Sequence, residues 1–335
     1  MRKISAVLAA SALVATVAFA GPAASAAESI TGKGASYPFL ILDACRSAYT
    51  DASVTYTSTG SGTGKSEFAK GNVDFAASDS LYATGTAPSS KFTYVPLVGG
   101  PIALAFNVAG VKSLNLTPKL ISDIFLGEVT QWNDAKIAKI NKGVKLPAQK
   151  IQPVFRSETS GTSNNFTNFL SQTVGSPWVA NDAFTTGAGK TYGTGAKGGS
   201  GVVSTVKSTA YSIGYADLAD AATSGLPSAA VLNGAGQYVK PSVRSAALYL
   251  ASQKMNNAGV VKFDYDAAVK GGYNISLVSY GIAPVGKGTA KAAAVKGFFN
   301  YVLNTCAPAK AAGLNFVALT GAFKTSALKL VAKIG

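Results

Sequence analysis

The chain has 335 residues, 47% hydrophobic and 13% charged, with 30 basic and 15 acidic side chains and no histidine. That is too apolar for a disordered chain and long enough for two domains with proper cores. The missing histidine excludes Ser-His-Asp and Cys-His mechanisms and histidine-based metal sites.

Met1 to Ala26 reads as an export signal: Arg2 and Lys3 form a basic start, Ile4 to Ala20 an apolar centre, and Ala24-Ser25-Ala26 a cleavage site. No cysteine stands at that site to take a lipid, and no later run is long and apolar enough to span a bilayer. The mature protein is expected to be soluble, periplasmic or secreted, and not membrane-spanning. Removing Arg2 and Lys3 lowers the formal charge from +15 to +13. The lysines are scattered rather than clustered, which predicts a general pull on anions and no nucleic-acid partner.

Ser29 to Gly34 predicts a strand, and Ala35-Ser36-Tyr37-Pro38 opens a helix with Pro38 in its first position and Ser36 or Tyr37 at the cap. Val54 to Thr57 predicts a strand. Thr59-Gly60-Ser61-Gly62-Thr63-Gly64 then turns into a helix over Lys65 to Lys70. Such turns aim bare N–H groups and hydroxyls at one spot. Val73 to Ala77 predicts another strand, with Ser78 and Asp79 at its carboxyl end, where open α/β sheets bind ligands. Asp79 alone fits a turn cap equally well. Tyr94 to Val108 fits two strands, or one strand passing between domains.

Thr117-Pro118 caps a helix over Lys119 to Leu126, and Trp132, Ile137 and Ile140 continue a short helical stripe. Ile151 to Phe155 predicts a strand that runs through Arg156-Ser157-Glu158-Thr159-Ser160-Gly161-Thr162 into a helix over Asn164 to Leu170. The planar fork of Arg156 and the positive end of that helix together describe a socket for a small oxyanion. Gly187 to Gly201 reads as a surface loop and Val202 to Lys207 as a helix. Ser212 to Ala216 is a strand, Ser242 to Met255 a helix, Ile275 to Ala283 a strand and Ala290 to Asn304 a helix. Alternating strands and helices make the class α/β. Cys45 and Cys306 are the two cysteines, either bonded, as an oxidising compartment favours, or buried as free thiols.

Five ordered motifs carry a family resemblance: Gly32-x-Gly34-Ala35-Ser36-Tyr37-Pro38, Gly60-Ser61-Gly62-x-Gly64, Val73-Asp74-Phe75-x-Ala77-Ser78-Asp79, Ile124 to Gly127 with Trp132-Asn133-Asp134, and Arg156 through Thr162. With them the chain resembles the PstS-type phosphate-binding proteins of bacterial phosphate ABC transporters, from about Ile30 to about Leu319. The resemblance implies a two-lobed, periplasmic-binding-protein-like (type II) α/β fold with crossover strands as hinge. It places residues 27–102 and 276–335 in one lobe and 103–275 in the other. It also implies a monomer that captures inorganic phosphate for a membrane ABC permease, with no catalysis, cofactor or metal.

By motif, Ser36, Tyr37 and Ser61 would bind phosphate with hydroxyls and N–H groups. Asp79 would read the ligand's proton, Arg156 would supply the charge, and Ser160, Gly161 and Thr162 would close the socket. Ser78 and Glu158 would support them from behind. The sequence departs from the family in having Ser36-Tyr37 where a Thr-Phe pair is common, Glu158 where Asp often holds the arginine, and no lipid-attachment cysteine. The rival functions are a secreted or surface-associated protein of the same fold with an altered ligand, and a phosphatase.

Overall fold

The computed structural model describes residues 27–335; the export signal read at Met1–Ala26 lies outside them. Strand β1 (Glu28–Gly34) leads through Ser36 and Tyr37 into helix α1 (Phe39–Arg46), which buries Ile41, Leu42 and Cys45. The turn closed by Phe39 N–H on the Ser36 carbonyl puts Pro38 at the cap, one position earlier than its residue type suggests. Strand β2 (Ala52–Ser58) pairs in parallel along the whole of β1. Helix α2 (Ser61–Ala69) starts at the glycine turn itself, four residues before the expected Lys65. Strand β3 (Phe75–Ser78) lies parallel on the other side of β1.

Strand β4 (Phe92–Asn107) settles the long apolar run as one continuous strand of 16 residues. Helix α3 (Pro118–Phe125) is capped by the Thr117 hydroxyl, as its Thr-Pro start predicts. Next come strand β5 (Gln152–Arg156), helix α4 (Gly161–Thr173), strand β6 (Thr194–Ala196), helix α5 (Gly198–Ser208) and strand β7 (Ser212–Asp217). The predicted surface loop from Gly187 to Gly201 therefore holds β6 and the first turn of α5. Tertiary packing overrides glycine's poor helix propensity there. A Cβ on Gly199 would lie 2.4 and 2.5 Å from the carboxylate oxygens of Asp220 and Asp217, so only glycine lets the helix start so close.

The last long strand, β8 (Ser276–Pro284), inserts between β3 and β4. Among the described residues the main sheet has nine strands, ordered β2-β1-β3-β8-β4-β7-β5-β6, with the short strand Val317–Ala318 also on β4. β4 pairs with β8 from Phe92 to Pro101 and with β7 from Ile102 to Asn107. The exchange falls at Pro101, which has no N–H to give a ladder. One strand thus serves both halves of a curled sheet, and the α/β class read from the sequence holds.

The core is continuous across both halves. Beside the site it is aromatic: Phe166 stacks on Tyr215 with ring centroids 4.3 Å apart, and Phe125 meets Phe166 edge-on at 5.1 Å. Cys45 is bonded to Cys306, which closes the choice between a disulfide and free thiols. Among the described residues no helix is long and apolar enough to cross a membrane.

Candidate anion site

The carboxyl ends of β2, β3 and β5 bring their following loops to one place, where the first turn of α4 packs against Ser61 and Asp79, and the loop after β1 meets the start of α5 at Gly199. From β3, Asp79 is 4% exposed. Its Oδ1 accepts from the Ser279 hydroxyl of β8 at 2.6 Å, its N–H donates to Ser61 Oγ at 3.2 Å, and its carbonyl accepts from Asn165 Nδ2 at 2.7 Å. Burial pushes the Asp79 carboxyl up to about 7, against the opposing pull of the Ser279 hydrogen bond and the Arg156 charge.

Arg156 ends β5 and is 2% exposed. Its backbone N–H donates to the Tyr215 hydroxyl at 3.1 Å, and that hydroxyl shares a 2.6 Å hydrogen bond with Ser163 Oγ. The stacked aromatic core therefore holds both the arginine and the start of α4. In the side chain, Nε donates to Glu158 Oε1 at 2.8 Å, Nη2 also donates to Oε1, and Nη1 donates to Thr162 Oγ1 at 3.3 Å. Glu158 thus reaches the arginine where the family often has the shorter Asp, and it does so through one oxygen. That oxygen also accepts from the Gly198 N–H at 3.0 Å, while Oε2 is buried without a hydrogen-bond partner. Three of the guanidinium's five donors are engaged.

Gly161 and Thr162 bring Asp79 and Arg156 together. Thr162 bonds the arginine, and a Cβ on Gly161 would lie 2.7 Å from both Asp79 Cβ and Ser61 Oγ. Ser160 caps α4, its Oγ accepting from the Ser163 N–H at 3.3 Å, and gives its own N–H to the Asp182 carbonyl at 2.9 Å. Fully buried Ser61 opens α2 after Gly60, whose φ of +93° calls for glycine and where a Cβ would lie 2.9 Å from Glu158 Cγ.

Ser36 is half-buried, and its Oγ accepts from the Gly199 N–H at 3.3 Å. Tyr37 differs from its neighbour. Its phenol donates to the Pro101 carbonyl at 3.3 Å and its ring packs edge-on against Phe316, so what it can offer a ligand is its backbone N–H. Ser78 Oγ donates to the Ser80 carbonyl at 2.6 Å and shapes the turn after β3. The structure thus brings Ser61, Asp79, Arg156, Glu158, Ser160, Gly161 and Thr162 together, with Ser36 joined through Gly199 and Ser78 through the turn after β3, while the Tyr37 side chain engages β4 instead. Ser279, Asn165 and Tyr215 escaped the sequence reading. Ser279 is one of two serines in a mostly apolar strand, and nothing local distinguishes it from Ser276.

The fold and this loop-built site define a solute-binding domain, and comparison with known proteins agrees. The model of the "PBP superfamily domain" family matches residues 20–305. The phosphate-binding protein PstS of Pasteurella multocida is 37% identical over 242 residues, 69% of each chain. PstS of Haemophilus influenzae is 37% identical over 228 residues, 65% of this chain and 67% of that one. A solved high-affinity periplasmic phosphate-binding protein (PfluDING) with phosphate bound superposes with a TM-score of 0.74 at 24% identity, covering 89% of this chain and 92% of its own. The chain belongs to the PstS family of phosphate-binding proteins.

Proposed function

We propose that this protein captures inorganic phosphate between two lobes, residues 27–102 with 276–335 and residues 103–275, and delivers it to a membrane ABC permease from the periplasm or as a secreted monomer. β4 and β8 would serve as the hinge between the lobes. The observation that carries the reading is the meeting of a buried acid and a buried guanidinium, Asp79 and Arg156, on the first turn of one helix. The names of the relatives support the same ligand.

A buried tetrahedral anion needs each oxygen satisfied. Here the donors are the starts of α1, α2 and α4, the hydroxyls of Ser36, Ser61, Ser160 and Thr162, and the remaining N–H groups of Arg156. Glu158 orients that guanidinium. Asp79 is useful to an anion site only if a proton lies between it and the ligand. Phosphate carries at least one proton near neutral pH, whereas sulfate carries none. A site built around a hydrogen bond rejects an analogue lacking it by about 10⁴–10⁵-fold. The protein acts by binding alone in this reading.

The test is calorimetry of the purified mature chain at pH 8, with mass spectrometry for co-purified phosphate. Tight phosphate binding with little sulfate competition is expected. Equal affinity for the two anions would remove the role given to Asp79, and binding of neither would end the reading.

A further inference from the structure

We infer that Lys65 and Asp182 form a latch across the cleft that slows release of the bound anion, a positioning role separate from contact with the ligand. The inference rests on the phosphate-binding, lobe-closing reading above. Lys65 lies one helical turn after Ser61 on the same face of α2, and its Nζ is desolvated, the residue being 7% exposed. All three of its protons have acceptors: Ser80 Oγ at 2.9 Å, the Leu81 carbonyl at 2.7 Å and Asp182 Oδ2 at 2.8 Å. Ser80 and Leu81 belong to the same lobe as Lys65, while Asp182 lies in the other. The Ser80 hydroxyl also donates to Asp182 Oδ2, at 3.0 Å.

Separation of the lobes is therefore one-sided. Lys65 keeps two of its three acceptors, while Asp182 Oδ2 loses both donors. The pair also ties into the site from behind, because the Asp182 backbone carbonyl accepts the Ser160 N–H at 2.9 Å, and Ser160 caps α4. The latch thus joins the two helices whose first turns make the anion site. Asp182 Oδ1 is buried with no hydrogen-bond partner, so the pair is an incompletely satisfied ion pair. Such pairs contribute little to net stability and serve better to fix a particular arrangement, here a reversible closed state.

Asp182 distinguishes a latch from a simple field effect by sign. It is a negative charge close to the site. If it acted only through its field, removing the charge would strengthen binding of an anion. If it latches, removal speeds release. We would measure phosphate dissociation by stopped-flow for wild type, Asp182→Asn, Asp182→Glu, Lys65→Met and the Lys65→Met/Asp182→Asn double variant, with a melting curve for each.

The expected result is dissociation faster by on the order of 30-fold or more for Asp182→Asn, the lower end of what truncating one partner of a buried charged pair gives, with association little changed. Asp182→Glu keeps the charge but misplaces it, and should also release faster. The double variant should release no faster than the faster single one, because the two side chains act as a unit. Wild-type binding with unchanged or slower release from both Asp182 variants would overturn the latch alone. Failure of the wild type to bind phosphate would overturn the proposed function, and the latch with it.

Discussion

At the scale of single residues, Asp79 sets the pH behaviour. Its carboxyl titrates near 7 in the folded protein because burial disfavours the charged form, against an ordinary value of 3.8. Between those two pH values the folded chain holds a proton that the unfolded chain has released. Stability of the ligand-free protein therefore falls as pH rises from about 4 to about 7, by at most roughly 1.4 kcal/mol per pH unit from this group. Buried Asp217 and half-buried Asp220 are pushed the same way, Asp217 by burial and then by the charge of Asp220. The Asp79 share must therefore be read as a difference. Asp79→Asn should already raise stability by about 1–2 kcal/mol at pH 5 and by a few kcal/mol at pH 8, as denaturant melts at the two pH values will show. The same titration bears on selectivity. Below pH 7 a protonated Asp79 can itself donate to sulfate, so competition by sulfate should rise as pH falls from 8 to 5.5. Competition calorimetry across that range checks the direction, and a flat profile would contradict it.

Among the elements, the first turn of α4 is the piece on which the others converge. Gly161 sits against Asp79 and Ser61 with no room for a methyl group. Its backbone is helical, so alanine there carries no penalty of its own. Gly161→Ala should therefore weaken phosphate binding by about 5- to 150-fold, since overpacking a close-packed contact costs about 1–3 kcal/mol. The ligand-free melting temperature should move by no more than a few degrees. Calorimetry and a thermal melt on the same sample separate the two effects, and a matched loss of both would make Gly161 a folding residue instead.

This element also shows what the chain made readable. Asp79 and Arg156 stood out because each follows an apolar strand and precedes a glycine or hydroxyl turn, a local pattern. Ser279 and Asp182 did not stand out. Ser279 lies 200 residues from its partner Asp79, and Asp182 lies 117 from Lys65, in stretches with no pattern that names the partner. Likewise, the glycines from 187 to 201 look like a loop in isolation, and only the close carboxylates at Gly199 explain why a helix begins among them.

Over the whole molecule, the Cys45–Cys306 bond spans 261 residues and fastens the far end of α1, opposite Ser36, to the segment Val302–Cys306. In the chain-entropy account a loop of that length stabilises by on the order of 5 kcal/mol. Replacing both cysteines with alanine should lower the unfolding free energy by about 4–5 kcal/mol. Phosphate affinity should stay within about twofold, because the bond and the anion site share no partners. Chemical denaturation and calorimetry of the double variant test both halves of that statement.

The placement of β8 has a further consequence, for biosynthesis. A strand contributed after residue 275 completes the middle of the sheet and supplies the hydroxyl under Asp79. A nascent chain that has emerged only as far as residue 275 therefore has neither a joined sheet nor a finished anion site. The anion site is thus assembled late, and a chain cut off before residue 276 should bind no phosphate.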